Sequence, residues 1–148
     1  MSFRSLSTIQ FFSFFKFRFA RNFLWVEFIY PSSLQLSVFI NLLLEPVRDS
    51  KRYNLIELGI HEALVNSVKH GNSSNASKCI RVRRIMTPKW IVWQIQDEGK
   101  GTPIQSRVTT LPKDIEVENG RGFFLIHSCF DDVRWSKKGN RLQLGIKR

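Results

Sequence analysis

A polar stripe along the strongest helix candidate, residues 53–70, constrains the fold more than any other feature of the sequence. Glu62, Asn66 and His70 recur every four residues, so on an α-helix they share one face and drift by about 40° per step. Much of the remaining helix surface is apolar. A polar line on such a helix is costly to bury unless it faces a partner or a wet cleft. The pattern therefore fits either a helix that borders a ligand site or a helix with an ordinary solvent face.

The residue types on this stripe suit the binding of a metal ion and phosphate. Asn66 offers a neutral carbonyl oxygen, which is a suitable ligand for a hard cation such as Mg²⁺. Glu62, one turn earlier, can orient or deprotonate a nucleophile near that cation. Lys69 supplies a positive charge that can neutralise phosphate. These three side chains are the first candidate site residues.

A second motif, Asp97-x-Gly99-x-Gly101, directly follows an apolar strand pattern. An aspartate at a strand end can accept a hydrogen bond from an exocyclic amine such as that of adenine. The two glycines allow the backbone to pass close to a planar base or a phosphate. The same residues are also ordinary turn chemistry, so this motif is weak when it is taken alone.

A third motif, Gly120-Arg121-Gly122, precedes an apolar segment that is predicted to be a helix over residues 122–130. Glycine-rich backbone at a helix N-terminus presents free N–H groups and a positive dipole end to an anion. Arg121 adds a formal charge. The alternative interpretation is a loop that needs positive φ angles before the helix, so this motif is also weak alone.

The other periodicities predict the order strand, helix, helix, hairpin, loop, helix, hairpin, which is typical of an α/β two-layer domain. Pro31 ends the first strand, and Ser32 or Ser33 is predicted to be the N-cap of the next helix, which Pro46 ends. The predicted strands span residues 23–30, 79–86, 90–96, 132–136 and 141–147, and the predicted helices span residues 34–48, 53–70 and 122–130.

The chain has 148 residues, which suits one domain with a core of its own. It has two cysteines, Cys79 and Cys129, without a CxxC motif, so neither a disulfide framework nor a structural zinc site is expected. This usage is compatible with a reducing cytoplasm. The formal charge of +11 attracts nucleic acid, anionic lipid, acidic proteins or nucleotide phosphates, and charge alone does not choose among them.

Residues 1–22 form a basic, Phe-rich extension of uncertain status, and the predicted domain spans residues 23–148. Lys16, Arg18 and Arg21 interrupt the phenylalanines, so no apolar run reaches the roughly 18 residues of a membrane-spanning helix. The charges also lie inside and after the apolar run, which does not fit a signal peptide. Three interpretations stay open: an extension outside the folded domain, an extra packed strand or helix, and an amphipathic surface anchor.

The three motifs occur in an order and at separations that suit one nucleotide pocket, and they resemble those of the GHKL ATPase family. This family includes histidine-kinase catalytic domains, gyrase B and related chaperones. The stretch EALVNSVKHGN is similar to the family's N box, DEGKG to its first glycine box and GRGFFLI to its second. The closest branch is that of bacterial anti-sigma-factor serine/threonine kinases. The resemblance covers residues 23–148 and leaves the Phe-rich start without a counterpart.

The resemblance implies a Bergerat-type ATP-binding fold, an α+β two-layer sandwich with helices on one face of a mixed, mainly antiparallel sheet. ATP and Mg²⁺ would be the cofactors. Asn66 would ligate Mg²⁺, Glu62 would be the general base, and Asp97 would recognise the adenine amine. The segment between Gly101 and Gly120 would be a short ATP lid. The other residues carried over as nucleotide-binding are Lys69, Gly99, Gly101, Gly120, Arg121, Gly122 and Asn140, the last standing where many relatives have threonine.

The function that the resemblance implies is phosphorylation of Ser or Thr on a small antagonist protein, combined with sequestration of a sigma factor. A cytoplasmic homodimer without direct nucleic-acid contact or membrane attachment is expected. The alternative is a nucleotide-gated protein-binding module that transfers no phosphate. A third hypothesis, a nucleic-acid binder that uses the basic charge, predicts a steep loss of affinity with salt and has no base-reading motif to support it.

Overall fold

The computed structural model of the chain describes residues 12–14, 23–107 and 118–148. The predictions for the rest of residues 1–22, and for residues 108–117 of the lid, lie outside the described residues. The division into an extension and a domain stays a prediction. The helices and strands are β1 (Phe12–Phe14), β2 (Leu24–Pro31), α1 (Ser37–Leu43), α2 (Tyr53–Asn66), β3 (Cys79–Met86), β4 (Trp90–Gln96), α3 (Glu118–Cys129), β5 (Asp132–Trp135) and β6 (Arg141–Lys147).

The strands form one sheet with the order β1-β2-β3-β4-β6-β5. Every described strand pair is antiparallel, so the parallel pairing that a mixed sheet implies is not found among the described strands. Buried and partly exposed residues alternate along β4, as expected for a strand with one face towards a core. The predicted strands after residue 23 are confirmed to within a residue or so at their ends.

The helices cover one face of this sheet, and the core lies between the two layers. Ile56, Ile60 and Leu64 of α2 are fully buried in one cluster with Val82 and Trp93 of the sheet. The apolar positions of α2 recur every four residues, so they form one stripe that removes apolar surface from water. The α+β two-layer sandwich is therefore confirmed.

The first helix is shorter than the sequence predicts, and its predicted N-cap is wrong. It begins after Leu36, which makes no side-chain capping hydrogen bond, while Ser32 lies buried against another segment. Pro46 lies in a separate 3₁₀ turn, Glu45–Val47. The Arg84 guanidinium and the Trp93 indole both donate to the Leu43 carbonyl, so sheet side chains bind the end of this helix.

Two glycines let α2 and α3 approach each other closely. A Cβ added at Gly59 would overlap Phe130 of the segment that follows α3, and one added at Gly122 would overlap Glu62 of α2. The two helices run antiparallel, because early α2 meets the end of α3 and late α2 meets its beginning. Within the described residues, no helix is long and apolar enough to cross a membrane.

Candidate functional site

A cleft of about 970 Å³ lies between the second half of α2, the loop after β4 and the beginning of α3. Its volume falls in the range of small-molecule and cofactor sites, which is about 300–1,000 Å³. Eight of the ten residues singled out from the sequence line it: Glu62, Asn66, Lys69, Asp97, Gly99, Gly101, Gly122 and Asn140.

The polar stripe of α2 faces this cleft. Glu62, Asn66 and His70 all line it, while Ile60 and Leu64 on the opposite side are fully buried in the core. Of the two interpretations of the stripe, the structure therefore supports the helix that borders a ligand site.

The end of α2 widens into a π-helical turn, Ser67–Gly71. The Asn72 N–H donates to the Ser67 carbonyl oxygen at 2.8 Å, which is a bond across five residues instead of four. Single π turns recur at functional sites, because they change the direction of the side chains around them. Lys69 is exposed at this turn and still reaches the cleft.

Asn72 joins this helix end to the strands, and it is a residue that the sequence analysis missed. Its side chain is fully buried. The amide nitrogen donates to the Ser32 hydroxyl at 3.2 Å and to the Cys79 carbonyl at 3.1 Å, and the amide oxygen accepts the Glu98 N–H at 2.8 Å. Asn72 therefore positions the loop that carries Asp97. The only signal in the sequence is that Asn72 follows Gly71 directly after the predicted helix, where Gly-Asn indicates the end of a helix.

Replacement of Asn72 by alanine is expected to lower the free energy of unfolding by about 2 kcal/mol, because buried partners lose their hydrogen bonds. Chemical denaturation measures this change, and Asn54→Ala on the exposed side of α2 is the matched control. We expect the control to change stability by less than about 0.5 kcal/mol. Equal stability of the two variants would contradict the positioning role of Asn72.

Within the cleft, burial shifts the pKa of the Asp97 carboxyl. Burial raises the pKa of its carboxyl above the ordinary value, while the Gly99 N–H and the Lys138 and Lys78 ammonium groups oppose that rise. The Gly99 N–H donates to one carboxylate oxygen at 2.8 Å. The Asn140 side chain donates to the Asp97 backbone carbonyl at 3.3 Å. Asp97 is thus a partly buried acceptor whose carboxylate and backbone carbonyl each accept a hydrogen bond from a neighbouring residue.

Glycines allow the loop after β4 to lie directly on the end of α2. A Cβ added at Gly71 would overlap the Asp97 carboxylate, and one added at Gly99 would overlap the Gly71 carbonyl. Gly101 has a φ of +95°, and a Cβ there would overlap the Lys138 carbonyl. Both the left-handed backbone and the close approach favour glycine at this position.

The third motif lies differently from the prediction. Helix α3 begins at Glu118, so Gly120 and Gly122 fall within its first turns instead of in a loop before it. Gly122 lines the cleft and packs against Glu62 and Asn66. Arg121 is exposed and is not among the described residues that line the cleft.

An aromatic wall completes the cleft. Phe123 and Trp135 line it and meet edge to face, with ring centroids 5.2 Å apart. The Arg107 guanidinium lies 5.4 Å from the centre of the Trp135 ring. The sequence analysis assigned these side chains no role in the site, since an aromatic residue in a strand or helix more often belongs to a core. Ile95 and Leu142 add aliphatic surface to the same cleft.

The donor set fits a magnesium nucleotide. The described residues hold no cluster of three or more His, Cys, Asp and Glu side chains. Mg²⁺ that arrives with phosphates needs few protein ligands, because it keeps phosphate oxygens and water in its octahedral shell. The Asn66 amide could supply one oxygen, with Glu62 one turn away. The glycine-lined loop and the apolar wall leave room for a flat base beside Asp97.

A family model described as the histidine kinase-like ATPase domain matches residues 40–146, which is most of the chain and includes all ten predicted site residues. The chain belongs to this family. The GHKL resemblance is therefore confirmed at the level of the family, and membership indicates ATP binding, usually with Mg²⁺. No curated protein matches the chain.

Proposed function

We propose that this ATPase domain is an anti-sigma-factor-type protein kinase that transfers phosphate from ATP to a Ser or Thr of a small antagonist protein. The observation that carries the proposal is the position of Glu62. This carboxylate lines the cleft together with the Asn66 amide and the Lys69 ammonium group, which supports a site that holds a base, a metal ligand and a cation. Phosphoryl transfer needs a positioned Mg²⁺, cationic charge near the phosphates and an oriented hydroxyl.

Each residue has a role in the proposed reaction. When bound, MgATP would supply the phosphoryl group, and its metal ion would stabilise the charge that develops on that group. Asn66 would hold the metal ion through its amide oxygen, and Lys69 would neutralise phosphate charge. Glu62 would accept the proton of the Ser or Thr hydroxyl. The hydroxyl oxygen would form the new bond to phosphorus as the bond to ADP breaks and ADP leaves.

The opposite half of the cleft suits the base of the nucleotide. The Asp97 carboxylate is partly buried and accepts the Gly99 N–H, and it has further acceptor positions that can take a hydrogen bond from the adenine amine. Ile95, Leu142 and Trp135 offer apolar surface to the base. Gly99 and Gly101 line this half of the cleft, and each lies against the backbone of a neighbouring segment, so no side chain at either position stands between the loop and a bound base.

The proposed partners are the sigma factor that the domain sequesters and the antagonist protein that it phosphorylates. A homodimer in the cytoplasm, without direct contact to nucleic acid, belongs to the same proposal. Its support is the resemblance of the three motifs to the anti-sigma-factor kinase branch, and seven of the nine candidate residues from those motifs line one cleft, together with Asn140.

The test is a phosphotransfer assay with radiolabelled MgATP and candidate antagonist proteins. We expect an acid-stable phosphate on one Ser or Thr of the acceptor, which disappears when that residue is replaced by alanine. Acid-labile phosphate would contradict a Ser/Thr kinase. Nucleotide-dependent binding of the acceptor without transfer would instead support the alternative, a nucleotide-gated binding module.

A further inference from the structure

The face of the sheet that points away from the helices carries a row of paired polar side chains. Strand registers place Glu27 opposite Arg83, Arg83 opposite Gln94, Gln94 opposite Gln143, and Gln143 opposite Arg134. Directly paired residues of neighbouring strands point to the same side of a sheet. Because the core residues of these strands alternate with this row, the row lies on the opposite side, which we call the outer face.

Basic groups outnumber acidic ones on the outer face. By register and alternation, β2 to β6 place the carboxylates of Glu27 and Asp132 there, together with a larger set of cations. These cations are Arg81, Arg83, Arg134, Arg141 and Lys147. The outer face therefore has a net positive charge, on a chain whose formal charge is +11.

One carboxylate holds two of these arginines in fixed positions. Glu27 Oε1 lies 2.8 Å from Arg83 Nε and 3.5 Å from Arg81 Nη1. The Glu27 side chain is 13% exposed, whereas those of Arg81 and Arg83 are 48% and 42% exposed. A guanidinium has five N–H donors, so each arginine keeps donors for a partner. Groups that are already ordered lose less entropy when they bind.

Two tryptophans lie on the same face, each with a cation over its ring. The Arg83 guanidinium lies 5.8 Å from the Trp25 ring centre, and the Lys147 ammonium lies 5.8 Å from the Trp90 ring centre. Single-stranded nucleic acid binds by stacking bases on open aromatic rings. Each of these two rings already contacts a cation, and the Glu27 carboxylate would repel phosphates, so the arrangement disfavours the binding of nucleic acid.

We infer that the outer face is a docking surface for an acidic protein. Tryptophan and arginine are the residues that contribute most to protein interfaces, and exposed guanidinium groups pair well with carboxylates. The surface lies across the sheet from the nucleotide cleft, so a protein can bind there while the cleft stays open. The inference does not depend on the proposed kinase activity.

The test measures binding of a fluorescein-labelled oligoglutamate peptide by anisotropy, with labelled oligothymidylate in parallel. We expect Arg81→Gln/Arg83→Gln to weaken peptide binding by about tenfold or more, through lost charge-assisted hydrogen bonds. A second variant, Arg141→Gln/Lys147→Gln, leaves Glu27 paired and is expected to weaken binding as well. The control Arg48→Gln/Lys51→Gln removes the same charge from exposed residues between α1 and α2 and is expected to change affinity by less than about threefold.

Four results would overturn the inference. An equal loss in the control would mean that the peptide responds only to net charge. Tighter binding of oligothymidylate, lost in the same variants, would assign the face to nucleic acid. Displacement of the peptide by saturating MgATP would place the peptide in the cleft. Circular dichroism confirms that each variant is folded. If both folded face variants bound the peptide as tightly as the wild type, the outer face would also be excluded as the binding surface.

Discussion

Glu62→Gln is expected to reduce phosphotransfer to the antagonist protein by about 10²- to 10⁴-fold, because a positioned general base contributes that much to proton transfer. Glutamine keeps the size of the side chain that packs against Gly122, so the contact between α2 and α3 is preserved. It cannot accept the proton of the acceptor hydroxyl. We therefore expect the ATP affinity, measured by equilibrium dialysis, to stay within about threefold of the wild type.

Glu57→Gln is the matched control for this prediction. Glu57 lies on the same helix and lines a different groove, away from the nucleotide cleft. The control is expected to keep wild-type transfer rates. Transfer by the Glu62→Gln variant at the control's rate would contradict the role of Glu62 as base. A parallel loss of ATP affinity and transfer would assign Glu62 to nucleotide binding instead.

The sequence predicted the fold well, because its strongest signals are local. Residues 53–70 were predicted as a helix, and the structure has α2 from Tyr53 to Asn66 followed by the π-helical turn. Four-residue spacing places the same side chains on one face whatever the tertiary context, so the stripe of Glu62 and Asn66 could be assigned to a common surface. Alternation likewise identified the strands.

The parts that could not be predicted depend on contacts between distant segments. Asn72 bonds to Ser32, Cys79 and Glu98, and no local pattern announces such a network. The position of Arg121 depends on where α3 begins, and glycines gave no local signal for a start at Glu118. Helix ends are generally the least certain part of a sequence-based assignment.

The capping prediction was wrong for a related reason. Ser32 and Ser33 are good N-cap residues by type. The structure uses the Ser32 hydroxyl as an acceptor for the buried Asn72 amide, and Ser33 accepts the Gln35 N–H in a local turn. Leaving the buried Asn72 amide without its hydrogen bond would cost more free energy than a capping hydrogen bond would contribute. The Ser32 hydroxyl therefore bonds to Asn72 instead of to the helix.

Asp97→Asn is expected to weaken MgATP binding by about 10- to 100-fold, because a charged acceptor bonds the adenine amine more strongly than a neutral one. Wild-type protein with ATP at a hundred times its Kd gains about 2.7 kcal/mol of stability. A hundredfold weaker variant at the same ATP concentration gains only about 0.4 kcal/mol. Thermal unfolding with and without MgATP measures both gains.

The same variant is expected to be more stable than the wild type when no nucleotide is present. Burial raises the pKa of Asp97, so the charged form costs folding free energy at neutral pH. Asparagine removes that charge, and its oxygen can still accept the Gly99 N–H. The site thus trades stability for the ability to bind nucleotide, which is common at functional sites.

The raised pKa also fixes the sign of the pH dependence. A carboxyl whose pKa is higher in the folded state binds its proton more tightly there, so its contribution to stability rises as the pH falls through that pKa. ATP affinity changes in the opposite direction, because the protonated carboxyl is a weaker acceptor. We expect the Asp97-dependent part of the affinity to disappear as the pH falls through the raised pKa, which lies above the ordinary value of 3.8.

Asp49→Asn, at an exposed carboxyl in the turn before α2, is the control for both effects. It is expected to keep the stabilisation by MgATP and its pH dependence, whereas the Asp97→Asn variant is expected to lose most of the stabilisation and the part of its pH dependence that comes from Asp97. An Asp97→Asn variant that is stabilised by MgATP as strongly as the wild type would show that adenine is not bound through this carboxylate. A loss of affinity accompanied by a lower unfolding temperature without nucleotide would instead assign Asp97 to holding the loop after β4.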